Sequence, residues 1–597
     1  MSVGNFIKPD VLTLDELLKG RLFEVPDFQR PYSWKKEQRE DLFSDLDLLI
    51  KEKKNTHFMA TIVCLDVKKE HIGTDEFQKV QIVDGQQRLT TLIILLKVIQ
   101  LTLKKNESKN KREIENLQKL FVRGKKLVLL QTNHQSQEMF RKFLVSGIIP
   151  DPDVQTTMAE KEIANAIKES QSYVNNKIDD GSLINLLKTL KNRIHFIFYT
   201  IKDEKVVYTV FELLNSRGLP VASLDKCKSM LMGIVYEKYN KAESKEIIKS
   251  LHSIWNSIYS EIGTQKISDS ELLRFAATLC YFKSYSSSAE SYGTQSLGKP
   301  LSEDESLKYL EYIAKASSRS VDLPDTLKDE NEDICVLISR VIKEVTIKLS
   351  SFGKDVRKNN GVTNIIQARL LAVSIELSNY TESQKKELND LWDKITFRIY
   401  GLYDKDSRNC VGDYVRLARE IYYGQDYDTS YEALKRIGKD YPIEPVINEI
   451  RGRSWYDKYN DALKYVLYRY EEHLAKTIGA KISDNVWSQI WSDTPSKTIE
   501  HIYPKTFNDD LKKNWPDASI NCQKDLDEFV HNIGNLTLLP PGLNSKLGQK
   551  SFNEKKDEYR RHSLRITDDV VKRRKWNKNA VLAREKEILD FIQKAWE

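Results

Sequence analysis

Val80-Gln81-Ile82-Val83-Asp84-Gly85-Gln86-Gln87-Arg88-Leu89-Thr90-Thr91-Leu92 is the stretch on which the reading of this chain turns. Val80, Ile82 and Val83 are β-branched and run into an Asp84-Gly85 turn signal, so a strand is expected to end there. From Leu89 the chain becomes apolar at helical spacing, with Leu89, Leu92, Ile93 and Leu96 on one face. A strand, a glycine and a helix in that order aim free backbone N–H groups and the positive end of the helix dipole at one spot. Such a junction can hold an anion, and Arg88 adds a planar fork matched to phosphate. The competing reading is an ordinary strand-to-helix turn. Against it stands Gln86-Gln87-Arg88, polar where a core helix would begin with apolar residues.

At 597 residues the chain is too long for one core, and about three domains are expected. Hydrophobic residues make up 40% and charged residues 30%, the composition of a folded chain and not of a disordered one. The net charge of +7 is a small excess of 94 basic over 87 acidic residues, so its placement matters more than its size. The six cysteines form no C-x-x-C pair, which argues against a zinc ribbon or a disulfide scaffold and fits a reducing compartment. No basic stretch followed by an apolar run opens the chain, so no signal peptide is expected. The apolar run Leu89–Leu103 is broken by Lys97 and Gln100 and is too short to span a bilayer. A cytoplasmic protein without a membrane partner is expected.

Working outward toward the N-terminus, Thr13–Leu18 is a short helix signal. Phe23-Glu24-Val25-Pro26-Asp27-Phe28-Gln29-Arg30-Pro31-Tyr32-Ser33-Trp34 holds two prolines and four aromatics and is expected to be a fixed, extended loop. Gln29 and Arg30 form a second polar pair there, either facing a ligand or lying on a structural edge. Lys35–Lys54 reads as an amphipathic helix and Ala60–Leu65 as a strand. Together, V-P-D-F-Q-R-P-Y-S-W and I-V-D-G-Q-Q-R-L-T-T-L resemble the N-terminal domain of GmrSD-like, modification-dependent restriction systems, within the wider ParB/sulfiredoxin-like superfamily. In that superfamily a G-x-x-R box at a helix start binds nucleotide phosphates, and here the match falls on Gly85, Gln86, Gln87 and Arg88. The resemblance implies binding and hydrolysis of an NTP (GTP, UTP or ATP), with Asp84 positioning metal or water. No G-x-x-x-x-G-K-[ST] is present, so a P-loop is not expected.

Further on, Ile194–Ile201 reads as a buried strand, with His195 a core or edge histidine. Phe211-Glu212-Leu213-Leu214-Asn215-Ser216-Arg217-Gly218-Leu219-Pro220 reads as a helix end, closed by Gly218 with Pro220 beyond. It also matches the third signature of the same family, which adds Asn215 and Arg217 to the nucleotide pocket. From Lys241 to about Lys435 the pattern is almost continuously helical, with Trp255, Tyr281, Trp392 and Tyr400 at core spacing and Ser284–Glu305 a loop or linker. Sensing of substrate by this region is the one role suggested for it.

The C-terminal part carries the other constellation. Thr498–Pro504 reads as a strand delivering Glu500-His501 into a proline turn. Ile533–Leu539 reads as a second strand, and Pro540-Pro541-Gly542-Leu543-Asn544 opens a helix. This layout resembles the HNH (His-Me finger) nucleases, in the version found with GmrSD-like proteins, with Asn544 in place of the final histidine. A neutral imidazole at His501 can take a proton from attacking water. Glu500 and Asn544 offer hard oxygen donors for Mg2+ or Mn2+, and Asn535 is expected to support the loop or orient His501. Lys546, Lys550, Lys555, Lys556, Arg560 and Arg561 begin a basic cluster that can neutralise DNA phosphates, or else form a solvated helix face diluted by Glu554, Asp557 and Glu558. His531 reads as structural.

The expected fold is α+β and predominantly helical: a ParB/sulfiredoxin-like nucleotide-binding domain at 1–235, a helical connector at 236–438 and a ββα-metal HNH domain at 439–597. The resemblance implies an NTP-regulated endonuclease of anti-phage defence that cleaves or nicks foreign, modified double-stranded DNA; self-association of the chain is left open. The alternatives are a nucleotide-gated DNA-binding protein with an inactive nuclease domain and an enzyme acting on nucleotides alone.

Overall fold

The computed structural model describes residues 9–26, 29, 31–51, 56–123, 127–132, 136–155, 157–177, 180–201, 223–264, 267–281, 299–315, 332–352, 364–479, 495–516, 520, 522–540, 542–561 and 564–597. The architecture is α+β and predominantly helical, as the sequence pattern led us to expect. The chain divides into two compact units, residues 1–282 with 301–350 and residues 283–300 with 351–597. The region 236–438 is shared between them. The helices Lys241–Thr264, Asp269–Cys280 and Glu303–Lys315 belong to the first unit, and Ile366–Leu377, Glu382–Phe397, Val411–Tyr422 and Tyr427–Ile437 to the second.

The first unit is built on a mixed sheet. Its strands are β1 (Pro9–Thr13), β2 (Arg21–Glu24), β3 (His57–Ile72) and β4 (Asp75–Asp84), and, after a separate pair β5 (Val122–Arg123) and β6 (Leu127–Val128), β7 (Leu130–Gln131) and β8 (Ile194–Ile201). They lie in the order β1-β8-β3-β4-β2-β7. β3 pairs with β4 antiparallel and with β8 parallel, which puts the two longest apolar strands at the centre. The central pair continues past the core as a ribbon closed at Gly73, so β3 is much longer than the Ala60–Leu65 segment that its burial makes legible.

Helix Gln86–Leu103 follows β4 directly and is the core helix of this unit. Every residue from Leu89 to Gln100 is buried, including Lys97 and Gln100. Lys97 donates to Gln100 Oε1 at 2.8 Å, and Gln100 donates onward to the Ile114 carbonyl and Gln118 Oε1 at 3.1 and 2.9 Å. The polar breaks in the apolar run thus satisfy each other inside the protein, as buried polar groups must. Burial pushes the Lys97 ammonium down to about 8.

The tryptophans of the helical region sit in cores, as expected. Trp255 donates to Ser339 Oγ at 3.0 Å in the first unit, and Trp392 donates to the Ala368 carbonyl at 2.9 Å in the second. The second unit also carries the short antiparallel pair β9 (Ile499–His501) and β10 (Leu536–Leu538), in which His501 faces Leu536 and Glu500 faces Thr537. Around it lie the helices Asn460–Thr477, Phe552–Tyr559, Arg565–Lys572 and Lys578–Trp596. The last of these touches the backbone of the turn leading into β10 at Gly534, where a Cβ would stand 2.0 Å from the Val581 carbonyl oxygen, so no side chain fits. Arg584, wholly buried, donates from that helix to the carbonyls of Gly534 and Leu536 at 2.9 and 2.7 Å.

Candidate active site

At the end of β4 the chain turns through Gly85, whose φ of +93° is the left-handed region that favours glycine. A Cβ there would also meet Ile62 Cγ1 at 2.9 Å and the Thr61 carbonyl at 3.1 Å. No side chain caps the helix that follows, and the Gly85 N–H donates back to Asp84 Oδ1 at 2.7 Å. Gln29 donates to the Val83 carbonyl at 2.6 Å. Gln87 accepts from the Ser33 N–H at 2.9 Å and donates to the Pro31 carbonyl at 3.2 Å, while Tyr32 and Thr91 share a hydrogen bond of 2.8 Å. Gln29 and Gln87, two residues expected to face a nucleotide, therefore bind the proline-rich loop to the strand–helix junction. Gln86 is buried beside a cleft lined by Val25, Tyr32, Thr90 and Ser136 that has room for about one water. Arg88 is half-exposed and makes no ion pair with any described residue. Arg30, Asn215 and Arg217 lie outside the described residues.

The second cluster is organised by β9. Neighbouring residues of a strand point to opposite faces, and here Glu500 and His501 part company. The Glu500 carboxylate meets Lys555 Nζ at 2.6 Å, with Tyr559 at 3.5 Å, and Lys555 also donates to the His501 carbonyl at 2.9 Å. Only 4% of the Glu500 side chain and 1% of that of Lys555 is exposed. Burial raises the carboxyl of Glu500 and lowers the ammonium of Lys555, and their attraction opposes both shifts. Asn544 donates to the Ile499 carbonyl at 2.8 Å. These donors do not fit an open divalent site: the carboxylate is enclosed and already faces a cation. Among the described residues, no group of three or more His, Cys, Asp or Glu side chains is placed to hold a metal. Lys555 is accordingly removed from the basic surface to which its sequence position assigned it.

On the other face, His501 Nε2 lies 2.9 Å from His531 Nδ1. His531 Nε2 in turn lies 3.8 Å from Asp457 Oδ2. The Tyr456 ring stacks on His531 with centroids 5.5 Å apart and meets His501 edge-on at 4.5 Å. Exposed Lys505 holds its ammonium 5.2 Å from the Tyr456 ring. Burial, then His531 and the nearby lysines, push the His501 imidazole down to about 2, so it is neutral at pH 7. Nδ1 of His501 has no hydrogen bond to any described residue.

Asn535 is fully buried and spends its whole amide on the loop beside His501. Its oxygen accepts from the Tyr503 N–H at 2.8 Å and from Trp576 Nε1 at 3.0 Å; its nitrogen donates to the Tyr503 and Val530 carbonyls at 3.0 and 2.9 Å. It has no capacity left for a substrate, so it positions the turn after β9 and is not itself a chemical group. The helix opened by Asn544 ends after four residues and is followed by Gly548, at φ +42°, before the helix Phe552–Tyr559 begins. Lys546 is exposed and Lys550 half-buried. Lys556 donates to the Arg573 carbonyl at 3.0 Å, and Arg560 and Arg561 pair with Asp557 and Glu558 at 2.6 and 3.0 Å. The basic surface is thus partly neutralised within its own helix.

Tyr456, Asp457 and Lys505 escaped the sequence reading, which took His531 as structural and did not pair it with His501. Only Lys505 left a local signal, as the cation following His501-Ile502-Tyr503-Pro504. The others meet His501 across separations that spacing cannot reveal.

Comparison with known families gives two matches in chain order. Residues 14–232 match the N-terminal domain of GmrSD restriction endonuclease, and residues 443–591 match the C-terminal domain of GmrSD restriction endonucleases. They enclose the Gly85 junction and the β9 cluster respectively. No curated protein matches the chain. Among the described residues, no helix is long and apolar enough to cross a membrane.

Proposed function

Since the chain belongs to the GmrSD restriction endonuclease family, and so is a DNA-cleaving restriction enzyme of phage defence, we propose that His501 is its catalytic base and that a nucleotide at Asp84–Arg88 governs it. The observation that carries this reading is the state of His501: a neutral imidazole, fixed through Nε2, with Nδ1 free of hydrogen bonds to described residues. A phosphodiester anion arriving beside it favours the protonated form and so raises its basicity. Nδ1 takes a proton from water as the water oxygen bonds to phosphorus. The phosphorus–ester bond then breaks, its electron pair passing to the leaving oxygen, which is protonated by solvent. Lys505 and Lys546 are exposed cations suited to the substrate's phosphates.

For the nucleotide, the reading is supported by the uncapped start of the helix Gln86–Leu103 and by Arg88 beside it. GTP, UTP and ATP are all compatible with a site that holds phosphate through backbone N–H groups. The HNH and ParB/sulfiredoxin-like assignments, the preference for modified DNA and a requirement for Mg2+ or Mn2+ belong to the same proposal. Glu500 and Asn544 are engaged by Lys555 and the Ile499 carbonyl and do not present an open metal site. Nicking of supercoiled plasmid decides between these parts. It is run with Mg2+, Mn2+ or EDTA, with and without each NTP, on unmodified, phosphorothioated and glucosyl-hydroxymethylcytosine DNA. Loss of nicking in His501→Ala and loss of NTP turnover in Arg88→Ala are expected. Nicking retained by His501→Ala removes the catalytic assignment.

A further inference from the structure

We infer that His531 is a positioning residue for this base, holding His501 in the tautomer whose lone pair lies on Nδ1. The inference rests on the reading of His501 as the base and adds to it a second histidine that fixes which nitrogen acts. A neutral imidazole has one N–H and one lone pair. His501 Nε2 and His531 Nδ1 are 2.9 Å apart, so one of the two carries the hydrogen. The other nitrogen of His531 faces the Asp457 carboxylate at 3.8 Å, and a carboxylate favours a hydrogen on the nitrogen turned toward it. With its hydrogen on Nε2, His531 offers a lone pair from Nδ1. His501 then donates from Nε2, and its own lone pair falls on Nδ1, the nitrogen without a hydrogen bond to a described residue.

The surroundings hold this pair in place. The Trp455 and Tyr456 N–H groups both donate to the His531 carbonyl, at 2.9 and 3.4 Å. The Tyr456 ring lies flat on His531 and edge-on to His501, which restricts rotation of both imidazoles. Ser454 Oγ donates to Asp457 Oδ2 at 2.6 Å and orients the carboxylate. When His501 takes the proton of the attacking water, its Nε2–H becomes a charged donor to His531, a stronger hydrogen bond than the neutral one it replaces. No proton leaves His501 for His531 in this step.

Three full-length variants test the assignment by single-turnover nicking, DNA affinity and melting. His531→Ala is expected to lower the nicking rate on the order of 10- to 100-fold with DNA affinity unchanged. His531→Asn places an amide oxygen near the position of Nδ1 and is expected to recover most of that rate. A wild-type rate in His531→Ala overturns the inference, as does His531→Asn remaining as slow as His531→Ala at unchanged affinity and melting. Should His531→Ala not fold, nitrogen-15 NMR of histidine-labelled wild-type protein, assigned by comparison with His501→Ala, reads the tautomer directly. Hydrogen on Nε2 of His501 supports the inference and hydrogen on Nδ1 overturns it. His501→Ala also separates the two claims: if it still nicks DNA, the base assignment fails whatever tautomer is found.

Discussion

Lys555 and Glu500 form an ion pair of 2.6 Å that solvent barely reaches, directly behind the strand that carries His501. The pair fixes β9 from one side, and the His501 imidazole faces the other. Removing one partner leaves a buried charge without compensation, so Glu500→Ala should cost about 3–5 kcal/mol in denaturant unfolding. Replacing both by methionine should recover most of that loss. With the carboxylate already paired, EDTA should leave the melting temperature unchanged, whereas a Mg2+-dependent rise abolished in Glu500→Gln would make Glu500 a metal ligand after all.

Asn535→Ala strands two buried N–H donors and two carbonyls around the turn after β9. A loss of roughly 3 kcal/mol is expected, together with slower nicking. DNA affinity should stay within about twofold of wild type, because the amide reaches no surface. Denaturation and binding curves on the same preparation check both parts.

Gly85→Ala imposes a side chain at φ +93° and drives it against Ile62 and the Thr61 carbonyl. The strained backbone alone should cost about 1–3 kcal/mol. NTP binding, measured by calorimetry, should weaken with it, since the first turn of the helix shifts.

Gln87 is the tie between the helix start and the loop at Pro31–Ser33. In Gln87→Ala the Ser33 amide loses its acceptor, and its hydrogen exchange should quicken about fivefold or more. Unchanged exchange would mean that Tyr32 and Thr91 suffice to hold the loop.

Glu471 accepts from the Arg565 and Ile566 N–H groups at 2.9 and 2.6 Å, capping the helix Arg565–Lys572 from a neighbouring one. Burial raises its carboxyl from 4.5 to about 7 despite those bonds. A carboxyl raised on folding stabilises the protein most below pH 4.5, and that contribution is lost as the pH climbs through about 7. Between pH 5 and pH 8, stability should therefore shift in favour of Glu471→Gln over wild type, by at most on the order of 3 kcal/mol. Paired unfolding curves at the two pH values measure it.

The helix Gln86–Leu103 was legible because β-branched residues, an Asp-Gly turn and a long apolar run are local signals. Its first turn is polar, so the apolar pattern alone starts it three residues late, at Leu89. β3 was underestimated because its outer half pairs only with β4 and buries little. The break at Gly548 was overlooked, although a glycine there gives a direct reason for a helix to stop. The sequence reading set Glu500 and His501 on one strand but treated them as members of one site. Strand alternation sends them to opposite faces, and their partners Lys555 and His531 come from 55 and 30 residues away. Partnerships of that kind leave no spacing to read.

The contact of helix Lys578–Trp596 with Gly534 also sets an order in time. Synthesis produces His501 first, then Asn535, and only more than eighty residues past His501 the arginine that holds the β10 backbone, Arg584. A polypeptide abandoned anywhere in that interval contains the imidazole but not the helix that seats its sheet. The β10 backbone therefore gains its two hydrogen bonds from Arg584 only once nearly the whole chain has been made.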